Sequence, residues 1–140
     1  MLRFDSLGLV EAEKAIAAGI AAARARNRAM AFAVADRHGD MIATARMDGA
    51  NARILIHSVR KAYTAAVMCR NTLSFKRDLE ERHGDLGQWG DDRLTTLPGG
   101  LVVQSGSNCV GGIGAGGGGP DDEVVARAMI EAMGFVVIGR

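Results

Sequence analysis

His57, Lys61 and Thr64 recur at i, i+4 and i+7, so they share one flank if the segment around them is helical. An imidazole, an amine and a hydroxyl beside an apolar seam are residue types that line a cleft. Desolvation disfavours the charged form of a lysine in such a place, which would make Lys61 a proton acceptor or an amine nucleophile. Arg46 and Asp48 stand just upstream. Arg46 could clamp a carboxylate, and Asp48 could share in proton transfer. Equally, Lys61 could pair with Asp48 and simply hold helix to hairpin. No Ser/His/Asp order, Cys/His nucleophile pair or metal-ligand spacing stands out.

The second candidate is the run from Val110 to Glu123, which enters as a strand, crosses a series of glycines and leaves as a helix. Pro120 suits a first helical turn, and Asp121, Asp122 and Glu123 suit the positive end of a helix. Gly112, Gly114, Gly116 and Gly117 allow positive φ and close approach of another group. The corner is therefore either a ligand cradle with bare N–H groups or a packing joint. A dinucleotide fingerprint would need a βαβ unit and an acidic residue further on, and only one helix follows here. The three acidic residues would also oppose an anion at that helix end.

Cys69 and Cys109 are the only thiols, which is no disulfide framework. Both read as structural, Cys69 in a helix stripe and Cys109 on a strand beside the glycine corner. Sulfur or imidazole could also serve as an axial haem ligand, with His57, His83, Met47 and Cys109 as the donors available.

The elements that must position these groups follow from periodicity. Leu9, Ala12, Ile16, Ile20 and Ala23 give a first helix, capped by Asp5 or Ser6 and running to about Arg26. Met30 to Ala35 and Met41 to Arg46 form a hairpin turned at His38-Gly39. A long helix from about Ala52 to Arg70 buries Leu55, Val59, Ala62, Ala66 and Cys69, with Asn51 or Asp48 near its cap. A short helix starts at Thr72 or Ser74 and stops at Gly84, followed by a polar loop holding Trp89. Leu94 to Leu97, Leu101 to Gln104 and Asn108 to Ala115 read as three more strands. A last helix spans Asp121 to Met133, and Phe135 to Ile138 forms an edge or intersubunit strand. The sum is an α+β domain, 1–140, with a central, mostly antiparallel five-stranded sheet and helices packed on it.

A chain of 140 residues that is 48% hydrophobic can bury one core, and its formal charge of +1 exerts no long-range pull on nucleic acid or an anionic membrane. It has no apolar stretch fit for a signal peptide or membrane span, so a cytoplasmic protein with reduced thiols is expected. Abundant glycine and alanine with few aromatics favour close packing, often against another subunit.

Four segments carry a family resemblance: Arg46-Met47-Asp48-Gly49-Ala50, Lys61-Ala62-Tyr63-Thr64-Ala65, Pro98-Gly99-Gly100 and Val110-Gly111-Gly112-Ile113-Gly114. In this order, over nearly the whole chain, they resemble the GlcG/HbpS family, which includes the C-terminal domain of PduO-type proteins. The resemblance implies a homo-oligomeric α+β domain that binds haem or a related tetrapyrrole, in some members with haem breakdown. Arg46, Asp48, Lys61 and Thr64 match the family's polar motif positions, and Gly112, Gly114 and Gly117 its glycine corner. Gly116 stands where the family has Ser, and the first helix contains no His to supply an iron ligand. On this reading Lys61 and Arg46 meet the propionates. The rival reading is an enzyme of small organic acid catabolism, with Lys61 or Asp48 moving a proton and the amides of Gly114 to Gly117 steadying an oxyanion. A third is a non-catalytic assembly module.

Overall fold

The computed structural model describes residues 1–139. The order is α1 (Leu9–Ala25), β1 (Ala31–Asp36), β2 (Met41–Arg46), α2 (Ala52–Met68), α3 (Thr72–Glu81), β3 (Gly100–Ser105), β4 (Asn108–Gly116) and α4 (Asp122–Ala132), with short 3-10 turns at Leu86–Trp89 and Gly119–Asp121. Among the described residues the sheet has four strands in the order β2-β1-β4-β3, and every pair is antiparallel. Helices cover both faces.

The two faces differ because side chains alternate along a strand. Phe32 and Val34 of β1 join Leu101, Val103 and Ile113 under α1 and α4, where Val125, Met129 and Ile130 complete the main core. Ala33 and Ala35 point the other way, against Ala62 and Ala66 of α2. In register, Ala33 lies opposite Gly114 and Ala35 opposite Gly112. That face is nearly bare, so α2 settles almost onto the backbone of β4. A Cβ on Gly112 or Gly114 would collide with the carbonyl oxygens of Ala62 and Ser58, and one on Gly116 would sit 2.8 Å from the Ser58 hydroxyl.

Five strands were expected and four are present. Leu94 to Leu97 stays outside the sheet because side-chain hydroxyls take its amides. The Thr95 N–H donates to Thr64 Oγ1 at 3.0 Å and the Leu97 N–H to Thr95 Oγ1 at 3.2 Å. Leu94 still turns inward, packing with Tyr63 and Phe75. Nor is Phe135 to Ile138 a strand. Phe135 and Val137 lean on the main core, and the Ile138 carbonyl accepts from Asn71 Nδ2 at 2.9 Å.

The first helix begins at Leu9, later than Asp5 or Ser6, because the Leu7 N–H is bound to the Val110 carbonyl at 2.9 Å and the Leu7 side chain is buried. Its buried side is small (Ala12, Ala15, Gly19, Ala23), and a Cβ on Gly19 would meet the Phe32 ring at 2.9 Å. Along α2 the buried set also departs from the apolar stripe. Ser58, Lys61, Ala62, Tyr63, Thr64, Ala65 and Ala66 are inside, while Ile56 is 54% exposed. Cys69 is no core residue: it ends the helix in a left-handed conformation, φ 51°, with its side chain exposed.

Candidate functional site

Helix α2 begins at an Asn51 cap whose side chain accepts the Ile54 N–H at 3.2 Å, and its polar flank runs along the upper end of β4. Ser58 fixes the crossing: its hydroxyl lies 2.9 Å from both the Ala31 and the Ile54 carbonyl oxygens. One turn on, Lys61 is 4% exposed. Its ammonium donates to the Ala115 carbonyl at 2.8 Å and to the Asp122 carboxylate at 3.0 Å. Asp122 in turn accepts the Gly118 N–H at 2.7 Å. An ammonium carries three N–H donors, and these contacts occupy two of them.

Above this pair opens a hollow of about 450 Å³, within the range of small-molecule sites. Ile54, Leu73, Leu97 and Pro98 make apolar walls, His57 stands half-buried in the wall from α2, and Gly116 and Gly117 floor the side toward β4. Glu123, in the first turn of α4, adds a carboxylate to the lining. Two glycines lining the hollow, Gly117 and Gly119, have positive φ, 92° and 59°. The polar flank of α2 and the glycine corner therefore share one cavity.

The glycines themselves divide. Gly112 and Gly114 sit in mid-ladder between β1 and β3 and serve as a packing joint under α2. The corner beyond them is filled from within, since Asp122 takes the Gly118 amide and Asp121 lies 3.4 Å from Arg28. The acidic residues that suit the helix start thus occupy the place an anion would take.

Not every candidate side chain reaches the hollow. Arg46 and Asp48 line a separate depression with Ile20 and Arg24, so Lys61 pairs with Asp122 and not with Asp48. Thr64 is fully buried and holds the Leu94 to Leu97 segment through its bond from the Thr95 amide. Cys109 is buried behind α2, its thiol 3.4 Å from the Ala66 carbonyl oxygen. Met47 sulfur accepts the Met30 N–H at 3.5 Å, and His83 is exposed just beyond the end of α3. Of the four possible iron donors, His57 is the one that lines this hollow.

Asp122 and Glu123, read from the sequence only as a helix start, and the apolar walls Ile54, Leu73, Leu97 and Pro98 belong to the site without having been given a role in it. A deeply placed lysine demands a counter-charge, for which the sequence offered Asp48 and the fold supplies Asp122 from the acidic run after Pro120. Nothing in the spacing tied Asp122 to Lys61, since the two meet only through the fold.

The sequence matches the family described as haem degrading protein HbpS-like over residues 7–131. The chain belongs to this family. Among solved structures, a double mutant of Streptomyces reticuli HbpS is 31% identical with a TM-score of 0.85, the match covering 94% of this chain and 89% of that one. Klebsiella pneumoniae protein ORFY gives 24% identity and a TM-score of 0.87, covering 96% and 94%. A PduOC:heme complex gives 22% identity and a TM-score of 0.83, covering 94% and 97%. Comparison with curated proteins found no match. The four-stranded antiparallel sheet with four helices is the HbpS-like fold. Among the described residues no helix is long and apolar enough to cross a membrane, and no three His, Cys, Asp or Glu side chains gather as a metal-binding group.

Proposed function

We propose that this HbpS-like chain binds haem or a related tetrapyrrole in the hollow between α2 and the glycine corner. The observation that carries the reading is His57, an imidazole set among the apolar walls of a cavity that also holds a polar anchor, Lys61. A flat apolar ring needs such walls, and its acid groups need a donor. The donor set fits: His57 would face the iron, and the remaining N–H of Lys61 would meet an acid group. The family description and the heme bound to the PduOC relative support the same class of ligand. When bound, the haem supplies a redox-active iron. The chain's part is to shield one face from water and to hold the ring at His57.

Titration of the purified protein with hemin should give a saturable Soret shift, weakened about 10-fold or more in His57→Ala, the order of effect expected when a metal-site interaction is lost. No shift at stoichiometric hemin would end the reading.

Proton transfer on a small organic acid draws less support. Asp48 lies outside the hollow, and the Lys61 ammonium already donates to a carboxylate and a carbonyl. Self-association is proposed through the outward side of α2, where Ile56 and Val67 are exposed beside Leu55 and Val59. A solution mass above that of one chain supports it, and a monomeric mass rejects it.

A further inference from the structure

Cys69 and Cys109 come from different elements, the cap of α2 and the second residue of β4, yet both sulfurs approach the same atom. Cys109 Sγ lies 3.4 Å and Cys69 Sγ 3.6 Å from the Ala66 carbonyl oxygen. Neither is in a disulfide, and only Cys69 is exposed. Burial, and then the Cys69 thiol beside it, pushes the Cys109 thiol up to about 11. Cys109 therefore keeps its proton at neutral pH and is shielded from reagents in solvent, whereas Cys69 is within their reach. Cys69 also sits at a helix end, where the backbone yields most easily to a small shift.

We propose that Cys69 and Cys109 form a reversible thiol pair that hydrogen peroxide oxidises to an intramolecular disulfide. The Cys69 thiolate attacks one peroxide oxygen, so that an S–O bond forms, the O–O bond breaks and hydroxide leaves, protonated to water. Cys109 then attacks the Cys69 sulfenic sulfur. The S–S bond forms, the S–O bond breaks, and the leaving hydroxide takes up the Cys109 proton as a second water. One peroxide is reduced and two thiols are oxidised. The bond staples the end of α2 to β4 and closes the loop that contains α3 and β3.

The test is peroxide treatment of the full chain, followed by thiol counting and intact mass under denaturing, non-reducing conditions. Both thiols should vanish together, the mass should fall by two hydrogens, and a dithiol should restore both. The melting temperature of the oxidised form should rise by several degrees, as expected for closure of a long loop. Cys109→Ala should stop at a Cys69 sulfenic acid that dimedone traps, and Cys69→Ser should keep its Cys109 thiol at the same dose. The proposal fails if wild-type protein gains oxygen on Cys69 while Cys109 stays free. It fails equally if the product is a disulfide-linked dimer, if Cys69→Ser loses Cys109 as fast, or if both thiols survive.

Discussion

The Lys61 ammonium and the Asp122 carboxylate meet at 3.0 Å with side chains only 5% and 12% exposed, joining α2 to the first turn of α4. Removing one partner from a buried pair leaves the other charge uncompensated, at a cost of about 3–5 kcal/mol. Lys61→Met should therefore lower the urea midpoint strongly, although the new side chain is apolar and of similar length. A variant within about 1 kcal/mol of wild type, the scale of an exposed ion pair, would show that the pair contributes little.

The joint between α2 and β4 makes a sharper prediction. Gly114→Ala places a Cβ against the Ser58 carbonyl, which is fixed helix backbone, so the helix must move. Overpacking of this kind costs about 1–3 kcal/mol and sometimes more. Gly119→Ala is the control: its φ is 59° and nothing lies within 4 Å of the added carbon, so only left-handed strain of about 1–2 kcal/mol remains. Chemical denaturation of both variants gives the ranking. Equal losses would mean that the joint can open.

Thr64 tests whether a buried hydroxyl has a structural duty. Thr64→Val keeps the shape but strands the Thr95 amide, for a loss of about 1–3 kcal/mol. Amide exchange at Thr95 should quicken in the variant, and unchanged protection would argue against the assignment.

Ligand binding separates the two depressions. Arg46→Ala should leave hemin affinity within about twofold, less than the 1.4 kcal/mol of a tenfold change, because Arg46 lines the depression beside Ile20 and Arg24. A loss comparable to that of His57→Ala would move the site, or its partner-facing half, to the far edge of the sheet.

A pH dependence follows from Asp91. The Tyr63 hydroxyl donates to its carboxylate and Arg93 Nε lies 3.2 Å away, which together hold Asp91 below its ordinary 3.8. The unfolded chain thus takes up this proton first as the medium becomes acidic. The stabilisation is complete above 3.8 and is lost as pH falls through the lower folded value. Tyr63 mirrors it. Burial and the Asp91 contact raise Tyr63 above 10.0, so its contribution is lost as pH rises through that higher value. Melting temperature against pH should fall less steeply on the acid side in Asp91→Asn than in wild type.

Much of the architecture was legible. The hairpin, the long second helix and the strand-to-helix corner follow from period and punctuation, and the common flank of His57 and Lys61 follows from their spacing; the fold then sets that flank and Gly117 around one cavity. Local pattern misjudged what depends on distant partners. Leu94 to Leu97, with its paired threonines, reads as a strand, yet the Thr64 and Thr95 hydroxyls claim its Thr95 and Leu97 amides before another strand can. Of the stripe read along α2, Ala62 and Ala66 are buried with Val59 packed against them, whereas Leu55 is half-buried and Cys69 exposed. The glycine-bare strand beneath admits the helix so closely that Ser58, Lys61 and Thr64 are buried as well. Lys61 finds its counter-charge in an element that only the folded chain brings near.

The bare joint under α2 also limits how this protein can be re-engineered. A side chain grown at Gly112 or Gly114 would run into the α2 backbone, and one at Gly116 or Gly117 into Ser58, Ile54 or the Ala29 carbonyl, so the floor of the hollow is fixed in shape. Room for a larger or differently shaped guest must come from Leu73, Leu97 and Pro98, whose side chains line the same hollow. Libraries that vary those three positions and spare the glycines should yield altered selectivity in chains that still fold.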